Sequence, residues 1–535
     1  MSASILKFLK YSDFNLKKAI IYQRAYNKIK EQNLFDESFY SNYLPDSDDL
    51  LVDYLFNGYE NGFSPSLDFN GEKYLEDYPN VKKEGMNPLV HYVLYGKDEG
   101  KKIFPLPEKE KIRILEKNRE FLHNYEFDEE PLVSIIILNR DGKNLLKMLF
   151  KDFKANANYS NFEVIVVDND SSDGSLDYLK SLKTDFTLRI IENNENQSFS
   201  KANNNAVKVA NGDFVLLLNN DIEPTFGWLN EMMGTYFEHD NVGSIGAKLI
   251  YPFYSYENEK SFKIQHASDI FSNNKNDVFY AYNQHNSEDP FSPEANFTKK
   301  CISVTGACVL IPKNVYEEVG GLDEGYFYGY EDVDFSLKLY QAGYDVYYCS
   351  SALLFHHESV SRKRDATYVR NNKTRLTDKW YNMLSREMFL DKLNHDNFFT
   401  EKTLKFTMVY DKENIAPEFY KEIKNLSDFL IGENYEVVLF DDLKKHNIDE
   451  MTDVFVSFSK DYDIDSLDAR RNVVKVLFLL DPSYENHHDF LDKNNEIGYD
   501  LLCTNKDFND DLIYIDSNKT LMAILEDFVL DKYDY

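Results

Sequence analysis

Residues Phe214 to Asp221 read Phe-Val-Leu-Leu-Leu-Asn-Asn-Asp, an apolar run that ends abruptly in two amides and an acid. The apolar part is typical of a buried β-strand. In open α/β sheets, ligands bind at the carboxyl ends of the strands. Carboxylates, amide oxygens and phosphates are the ligands that a hard divalent cation prefers. The stretch therefore predicts a strand end that contributes to a metal and phosphate site, although Asn-Asn-Asp is also an ordinary turn.

Three earlier segments repeat this pattern of an apolar strand followed by polar residues. The strands are predicted at 132–138, 162–167 and 187–191. The polar residues that follow them are Asn139 and Arg140, then Asp168 and Asn169, then Asn196, Lys201 and Asn204. The four strand ends are expected to converge on one edge of a parallel sheet. There a carboxylate such as Asp168 can accept the ring N–H of a pyrimidine.

The loop after the second strand superficially resembles a calcium-binding loop. Its sixth position is Asp173 rather than Gly, and its twelfth is Leu179 rather than Glu. We therefore do not expect a calcium loop there.

Composition limits the class of protein. The chain has 535 residues, with 60 basic and 92 acidic side chains and a formal net charge of -32, which disfavours nucleic-acid binding. The four cysteines form no Cys-x-x-Cys pair, as expected in a reducing compartment. No apolar run approaches the roughly 18 residues of a membrane span, and the first residues lack a signal-peptide core. We expect a cytoplasmic protein.

Three regions differ in pattern: residues 1–125 predict a small helical module, 131–385 alternate strands and helices, and 403–535 alternate again. In the first region, residues 51–62 recur as 89–100, each copy an amphipathic helix with a glycine at its end. In the last region, strands are predicted at 404–410, 435–440, 454–458, 473–480 and 499–503, without a glycine-rich phosphate loop.

The first thirty residues reverse the charge of the rest of the chain. The basic residues are Lys7, Lys10, Lys17, Lys18, Arg24, Lys28 and Lys30, and the acids among and beside them are Asp13 and Glu31. A basic amphipathic segment on an acidic protein is typical of peripheral contact with an anionic membrane, here the inner face of the cell membrane. A solvated helix that packs on its own domain explains the same pattern.

Eight motifs occur in the order seen in family 2 glycosyltransferases, and the chain most resembles the rhamnosyltransferase-like branch. The motifs are Asn139-Arg140, Val167-Asp168-Asn169 with Asp173-Gly174, Asn196 to Asn204, Leu217 to Asp221, Thr305-Gly306-Ala307, Gly320 to Glu324, Tyr330 to Phe335, and His356 to Ser359. The resemblance covers about 131–385. It implies a GT-A fold, a Rossmann-like α/β architecture, with a nucleotide-diphosphate sugar donor linked to UDP or dTDP. It also implies Mn²⁺ or Mg²⁺, inversion at the anomeric carbon, and a glycan or lipid-linked acceptor.

The resemblance also assigns roles to individual residues. Asp221 and His356 correspond to metal ligands, and Asp332 to the general base, with Glu331 orienting the base or the acceptor. The donor-binding positions are Asn139, Arg140, Asp168, Asn169, Asn196, Lys201, Asn204, Asn219 and Asn220. An ordinary Asp is ionised at neutral pH, so the position of Asp332 is expected to matter more than its pKa.

Other features leave alternatives open. A basic cluster after His356 is expected either to offset diphosphate charge or to be a solvated loop: Arg362, Lys363, Arg364, Arg370, Lys373, Arg375 and Lys379. Trp228 and residues 326–328 either stack on sugars or are buried. Ser198 and Ala206 stand where the family commonly has glycine, which bears on the donor pocket.

The last region weakly resembles half of a GT-B glycosyltransferase, without assigned catalysis. An inactive transferase-fold scaffold that binds carbohydrate or nucleotide is the alternative to an enzyme. A nucleotidylyltransferase lacks the support of a glycine-rich phosphate loop.

Overall fold

The structure is a computed structural model that describes residues 3–44, 49–274, 276–357, 366–413, 415–441, 452–459, 462, 473–479, 499–504, 513–515 and 518–534. The chain divides into two compact units, Met1–Phe121 and Leu122–Tyr535. None of the helices within the described ranges has the length and apolar content needed to cross a membrane.

The first unit is helical. Its α-helices are α1 (Ala3–Tyr11), α2 (Leu16–Glu31), α3 (Glu37–Tyr40), α4 (Leu50–Asp53), α5 (Gly71–Asp77), α6 (Pro79–Lys83), α7 (Pro88–His91) and α8 (Pro107–Arg119). The repeated segments are both helical: α4 and α7 each continue into a π-helical turn, at Tyr54–Gly58 and Tyr92–Gly96. Gly62 and Gly100 end the copies with positive φ.

The repeat extends further upstream than its sequence suggests. The ring of Tyr40 packs against Gly58, and the ring of Tyr74 packs against Gly96, so that a Cβ at either glycine would overlap a tyrosine hydroxyl. Each glycine is therefore required by the close approach of a tyrosine from an earlier helix, α3 for Gly58 and α5 for Gly96. Packing explains these aromatics.

The second unit contains a ten-stranded mixed sheet. Its strands are β1 (Val133–Asn139), β2 (Phe162–Asn169), β3 (Thr187–Asn193), β4 (Phe214–Asn219), β5 (Ile222–Pro224), β6 (Val242–Ile250), β7 (Ile264–His266), β10 (Lys299–Cys301), β11 (Cys308–Pro312) and β12 (Asp345–His356); β8 (Asp269–Asn273) and β9 (Phe279–Asn283) form a separate hairpin. The order is β10-β12-β6-β11-β4-β1-β2-β3. β1 to β4 are parallel, and β11 is antiparallel to both of its neighbours.

Helices cover both faces of this sheet. They are α9 (Lys143–Leu149), α10 (Phe153–Ala157), α11 (Ser175–Ser181), α12 (Phe199–Val209), α13 (Trp228–Glu238), α14 (Lys313–Glu318), α15 (Glu331–Gln341) and α16 (Ala366–Asn394), the last kinked at Trp380. Ile135 and Ile137 of β1 pack in one core, and Ile136 packs in the other. Burial on both faces explains why these strands read as continuous apolar runs.

The second unit ends in a six-stranded parallel sheet. Its strands are β13 (Lys405–Val409), β14 (Glu436–Phe440), β15 (Val454–Ser457), β16 (Val474–Leu479), β17 (Leu501–Thr504) and β18 (Ile513–Tyr514), with helices α17 (Pro417–Gly432) and α18 (Asn518–Lys532). The order is β14-β13-β15-β16-β17-β18. The five predicted strands are found within two residues of their expected ends.

Candidate active site at the carboxyl ends of the strands

The ends of β1, β2 and β4 are joined by side-chain hydrogen bonds. Asn139 donates to Asp168 Oδ2 and to Ser171 Oγ, both at 3.2 Å, and its Oδ1 accepts from Asn220 at 2.8 Å. Asn139 is fully buried and Asp168 nearly so. The structure thus brings three predicted donor-binding residues together where the sequence placed them.

Asn169 joins the ends of β2 and β3 to the start of the next loop. Its amide group donates to Asn196 Oδ1 and to the Gln197 carbonyl, at 2.9 and 2.8 Å. Its oxygen accepts from Asn193 and from the Gln197 N–H, both at 3.0 Å. All four hydrogen-bonding positions of this side chain are therefore used to hold the sheet edge.

The predicted metal ligands face each other at the end of β4. Asp221 lies between β4 and β5, and β5 pairs with the end of β12, which delivers His356. His356 Nε2 lies 3.2 Å from Asp221 Oδ1, and both side chains are mostly buried. On the other side of the ring, Nδ1 lies 2.6 Å from Gln265 Oε1. With Nδ1 donating to Gln265, Nε2 presents its lone pair toward Asp221.

These two side chains fit a cation that also binds substrate. Among the described residues, no group of three or more His, Cys, Asp or Glu side chains is placed to hold a metal ion. A pair of protein ligands is what a cation needs when substrate phosphates and water fill its other positions. The neighbouring His357 instead lies 3.5 Å from Glu223, which pairs these two side chains with each other.

Asp332 occupies the first turn of α15, where the motif Thr305-Gly306-Ala307 approaches it. Asp332 Oδ2 accepts from the Gly306 N–H at 2.9 Å, and Oδ1 accepts from the Val333 N–H at 2.9 Å. A Cβ at Gly306 would lie 3.4 Å from the Cβ of Asp332, an ordinary van der Waals contact. Glu331, its predicted partner, is buried.

The negative charge of a second carboxylate affects the pKa of Asp332. Burial, and then the negative charge of Asp269, raise the pKa of Asp332, while its two N–H donors and His266 oppose the rise. Asp269 is buried, accepts from Ser303 Oγ at 3.1 Å, and lies 3.5 Å from His266 Nε2. The pKa of Asp332 therefore departs from that of an ordinary Asp, because the fold buries this side chain and brings the charge of Asp269 near it.

One loop connects the predicted base to the predicted metal ligands. The Ala307 carbonyl accepts from the Asn219 N–H at 2.9 Å, and the adjacent Gly306 donates to Asp332. Asn219 ends β4 two residues before Asp221. Asp332 and Asp221 therefore belong to one edge of the sheet.

Three predicted donor-binding residues are either exposed or bound to other partners. Asn204 uses its oxygen to accept from Tyr316 and Leu322, and its amide group to donate to Leu322 and Glu324. It therefore anchors the loop at 320–324. Lys201 is exposed and lies 3.6 Å from Glu195, and Arg140 is exposed.

Two residues of the basic cluster, Arg375 and Lys379, are paired with acids. Arg375 and Lys379 contact Asp323 at 2.9 and 3.1 Å, and Lys379 also contacts Asp334 at 2.7 Å. Asp334 is fully buried and requires a counter-charge, which explains the pairing. These two cations bind α16 to the rest of the unit and are not free for a diphosphate. Arg362, Lys363, Arg364 and Glu358 lie outside the described residues.

Of the aromatic residues considered for sugar stacking, two are buried and two are exposed. Trp228 is fully buried against Phe153, so of the two alternatives the structure shows a core residue. Tyr326 is also buried. Phe327 and Tyr328 are exposed on the loop that precedes Glu331.

Sequence reasoning missed Gln265, His266 and Asp269. They lie on β7 and at the start of β8, in a region where no motif was recognised. The signal that was available is a cluster of polar residues in Ile264-Gln-His-Ala-Ser-Asp269. All six residues of this stretch are buried in the structure. The role of this cluster could be recognised only in the structure, because its partners His356 and Asp332 are distant in sequence.

The middle of the chain is similar in sequence to known proteins. Residues 133–318 match the sequence model of glycosyl transferase family 2. This part of the chain is therefore similar to glycosyl transferase family 2. The matched region has the GT-A fold, with the parallel strands β1 to β4 and the antiparallel β11 described above.

Individual relatives match the same part of the chain. The uncharacterized protein y4gI of Sinorhizobium fredii is 32% identical over 44% of this chain and 26% of its own length. The O-antigen biosynthesis protein RfbC of Myxococcus xanthus is 31% identical over 44% of this chain and 18% of its own length. An N-acetylglucosaminyl-diphospho-decaprenol L-rhamnosyltransferase of Mycobacterium tuberculosis is 40% identical over 12% of this chain and 20% of its own length. The chain thus spans about a quarter or less of these relatives.

Two departures from the usual family 2 pattern now have a structural description. Ser198 has extended backbone and caps α12, since its Oγ accepts from the Lys201 N–H at 3.2 Å. Ala206 is fully buried on the inner face of the same helix. Serine at this position therefore starts the helix without needing the conformational freedom of glycine.

Proposed function

We propose that this chain is an inverting, metal-dependent glycosyltransferase that moves a sugar from a UDP- or dTDP-linked donor to a hydroxyl group of a glycan or lipid-linked acceptor. The observation that carries the proposal is that the loop at 305–307 contacts both Asp332 and the end of β4, which leads to Asp221 and His356. A positioned carboxylate base and a cation site at one edge are what this reaction requires.

Each residue then has a chemical role. Asp221 and His356 would hold the cation, which when bound neutralises the charge that develops on the departing diphosphate. A histidine nitrogen beside a carboxylate suits Mn²⁺ better than Mg²⁺, which prefers oxygen ligands. Asp332 accepts the proton of the acceptor hydroxyl as that oxygen attacks the anomeric carbon from the side opposite the diphosphate. Its raised pKa strengthens it as a base.

Two features support a pyrimidine nucleotide and a cell-surface product. Asp168 lies at the network of strand ends, where its carboxylate can accept the ring N–H of uracil or thymine. Relatives named for O-antigen biosynthesis and for rhamnosyl transfer to a decaprenol-linked sugar favour polysaccharide or glycoconjugate synthesis.

The test begins with thermal unfolding of the chain in a panel of nucleotide sugars, with and without Mn²⁺, because ligands that bind the native state raise its stability. The donor that stabilises most is then used in a transfer assay with wild type and Asp332→Asn. We expect the variant to bind donor normally and to transfer sugar about a hundred-fold or more slowly. Glu331→Gln serves as the neighbouring control and is expected to lose less.

Two outcomes would contradict the proposal. Equal transfer rates for wild type and Asp332→Asn would mean that another group is the base. Donor binding by wild type without transfer to any acceptor would favour the alternative of a carbohydrate- or nucleotide-binding scaffold.

A further inference from the structure

The first two helices form a hairpin whose inner faces are buried. Phe8 and Leu9 of α1 and Ala19, Tyr22, Ala25 and Ile29 of α2 pack in the core of the first unit. The turn between the helices is held by hydrogen bonds from Phe14 N–H to the Leu9 carbonyl and from Asn15 N–H to the Ser12 carbonyl, at 3.0 and 2.9 Å. The hairpin is therefore a fixed element with a defined outer surface.

This outer surface is apolar. Its exposed large hydrophobic residues, with their exposed fractions, are Leu6 (53%), Tyr11 (49%), Phe14 (78%), Leu16 (44%) and Ile20 (50%). Leu16 and Ile20 lie one turn apart on the same side of α2. Single exposed apolar residues are ordinary, but a group of five within fifteen residues marks a contact surface.

Phe14 occupies a conformation that phenylalanine rarely adopts. Its φ is 61°, and Asp13 before it has a φ of 49°. Glycine or asparagine would adopt this conformation at lower cost. The turn nevertheless presents a bulky ring to solvent, so folding alone does not explain the choice of residue.

The same surface is basic. Lys10 lies one turn after Leu6 on α1, and Lys17 and Arg24 flank Ile20 on α2, and all three are exposed. Among the described residues, none of these three forms an ion pair with an acid. From Leu6 to Lys30 the chain contains one acid, Asp13, although the protein as a whole has a net charge of -32.

We propose that the outer surface of the α1–α2 hairpin docks on an anionic lipid bilayer, with Phe14 inserted between the headgroups. The partner must offer apolar and negative surface at once, and an anionic membrane does so at its interface. A second copy of this chain would bring its own like-charged basic surface to a symmetric contact. Charge complementarity therefore selects the membrane.

Flotation of the full chain with vesicles tests this assignment. We expect binding to vesicles that contain phosphatidylglycerol and little binding to phosphatidylcholine alone, with release at high salt. Phe14→Asn removes the ring while suiting the positive φ, so it is expected to keep the thermal stability and to weaken vesicle binding about tenfold. Lys10→Glu with Lys17→Glu is expected to weaken it by at least as much.

Matched controls separate this surface from general charge and hydrophobicity. Lys82→Glu with Lys83→Glu changes the net charge equally on exposed residues of α6, and Ile431→Ser removes another exposed apolar side chain; both variants are expected to bind vesicles as wild type does. Hairpin variants that float as wild type does would overturn the assignment. So would a wild type that does not float but forms dimers in sedimentation, if Phe14→Asn dissociates them.

Discussion

The amide oxygen of Gln265 lies 2.6 Å from Nδ1 of His356 and fixes the orientation of that imidazole ring. The next residue, His266, lies 3.5 Å from Asp269, whose charge acts on Asp332. Two consecutive residues at the end of β7 thus support the proposed metal site and the proposed base, respectively. Strand β7 does not carry a proposed metal ligand or the proposed base itself. Its side chains contact His356 and Asp269, which lie beside those groups or belong to them.

Asp221→Ala is expected to abolish the Mn²⁺-dependent part of donor binding. The side chain is one of two protein ligands in the proposed site, whereas its backbone carbonyl, which accepts from the His357 N–H at 2.9 Å, is retained. The fold should therefore persist. Titration calorimetry with the donor, with and without Mn²⁺, measures the effect.

Glu223→Ala is the matched control for that variant. Glu223 is the next acid along the chain, but it pairs with His357. Its removal is expected to leave Mn²⁺-dependent donor binding near the wild-type value. Equal Mn²⁺ dependence in Asp221→Ala and wild type would reject Asp221 as a ligand.

Gln265→Leu is expected to weaken Mn²⁺ binding by about ten- to a hundred-fold, as is typical when a hydrogen bond to a ligating histidine is lost. Leucine is similar in size but cannot accept the Nδ1–H. Asn283→Leu is the control, because Asn283 donates at 2.9 Å to the backbone carbonyl of Gln265 and not to its side chain. If both variants bind Mn²⁺ like wild type, the orientation of His356 does not depend on Gln265.

The sequence predicted the elements that follow local rules. The strands β1 to β4 were recognisable because burial on both faces requires continuous apolar residues, and the polar residues at their ends marked the functional edge. Asp221 and His356, 135 residues apart in sequence, were paired only through the family resemblance, and the structure brings them within 3.2 Å.

The sequence did not predict which polar side chains bind other protein groups and which remain available to a ligand. Asn204 and Arg375 had the chemistry to contact a donor, but each is used by partners that the fold delivers from elsewhere, Asn204 by Leu322 and Arg375 by Asp323. The effect of Asp269 on the pKa of Asp332 likewise depends on a contact between residues distant in sequence. These interactions depend on tertiary contacts, which no local sequence pattern predicts.

Asp323→Asn is expected to lower the free energy of unfolding by about 2 kcal/mol at neutral pH. Burial acts to raise the pKa of Asp323, but the Gly325 N–H, Arg375 and Lys379 lower it to about 2. A carboxyl with a depressed pKa stabilises the fold fully above its ordinary value near 4 and loses that contribution as the pH falls towards 2.

Urea unfolding of wild type and Asp323→Asn across this pH range measures the effect. The difference between them should shrink steadily as the pH falls below about 4. A difference that stays constant with pH would show that the ionised carboxylate is not what stabilises this contact. The exposed pair Lys412–Asp441 provides a control, since Asp441→Asn is expected to change stability much less than Asp323→Asn does.

Asp269→Asn is expected to shift the acid limb of the kcat/KM profile to lower pH. Burial and the charge of Asp269 both raise the pKa of Asp332, so the basic form of Asp332 is lost on acidification sooner than in an ordinary Asp. Removing one of these two causes lowers the pKa, and activity then persists to lower pH. Asparagine keeps an oxygen that can accept from Ser303, which lies 3.1 Å from Asp269 Oδ2.

The pH profile distinguishes this electrostatic role from a structural one. A variant that only loosened the loop at Ser303 would lose rate at every pH without moving the limb. Asp345→Asn is the control, because Asp345 pairs with Lys300 at 2.7 Å and is not among the charges that shift the pKa of Asp332; its profile should match that of wild type. If the acid limb of Asp269→Asn superimposes on that of wild type while wild type transfers sugar normally, Asp269 does not set the basicity of Asp332.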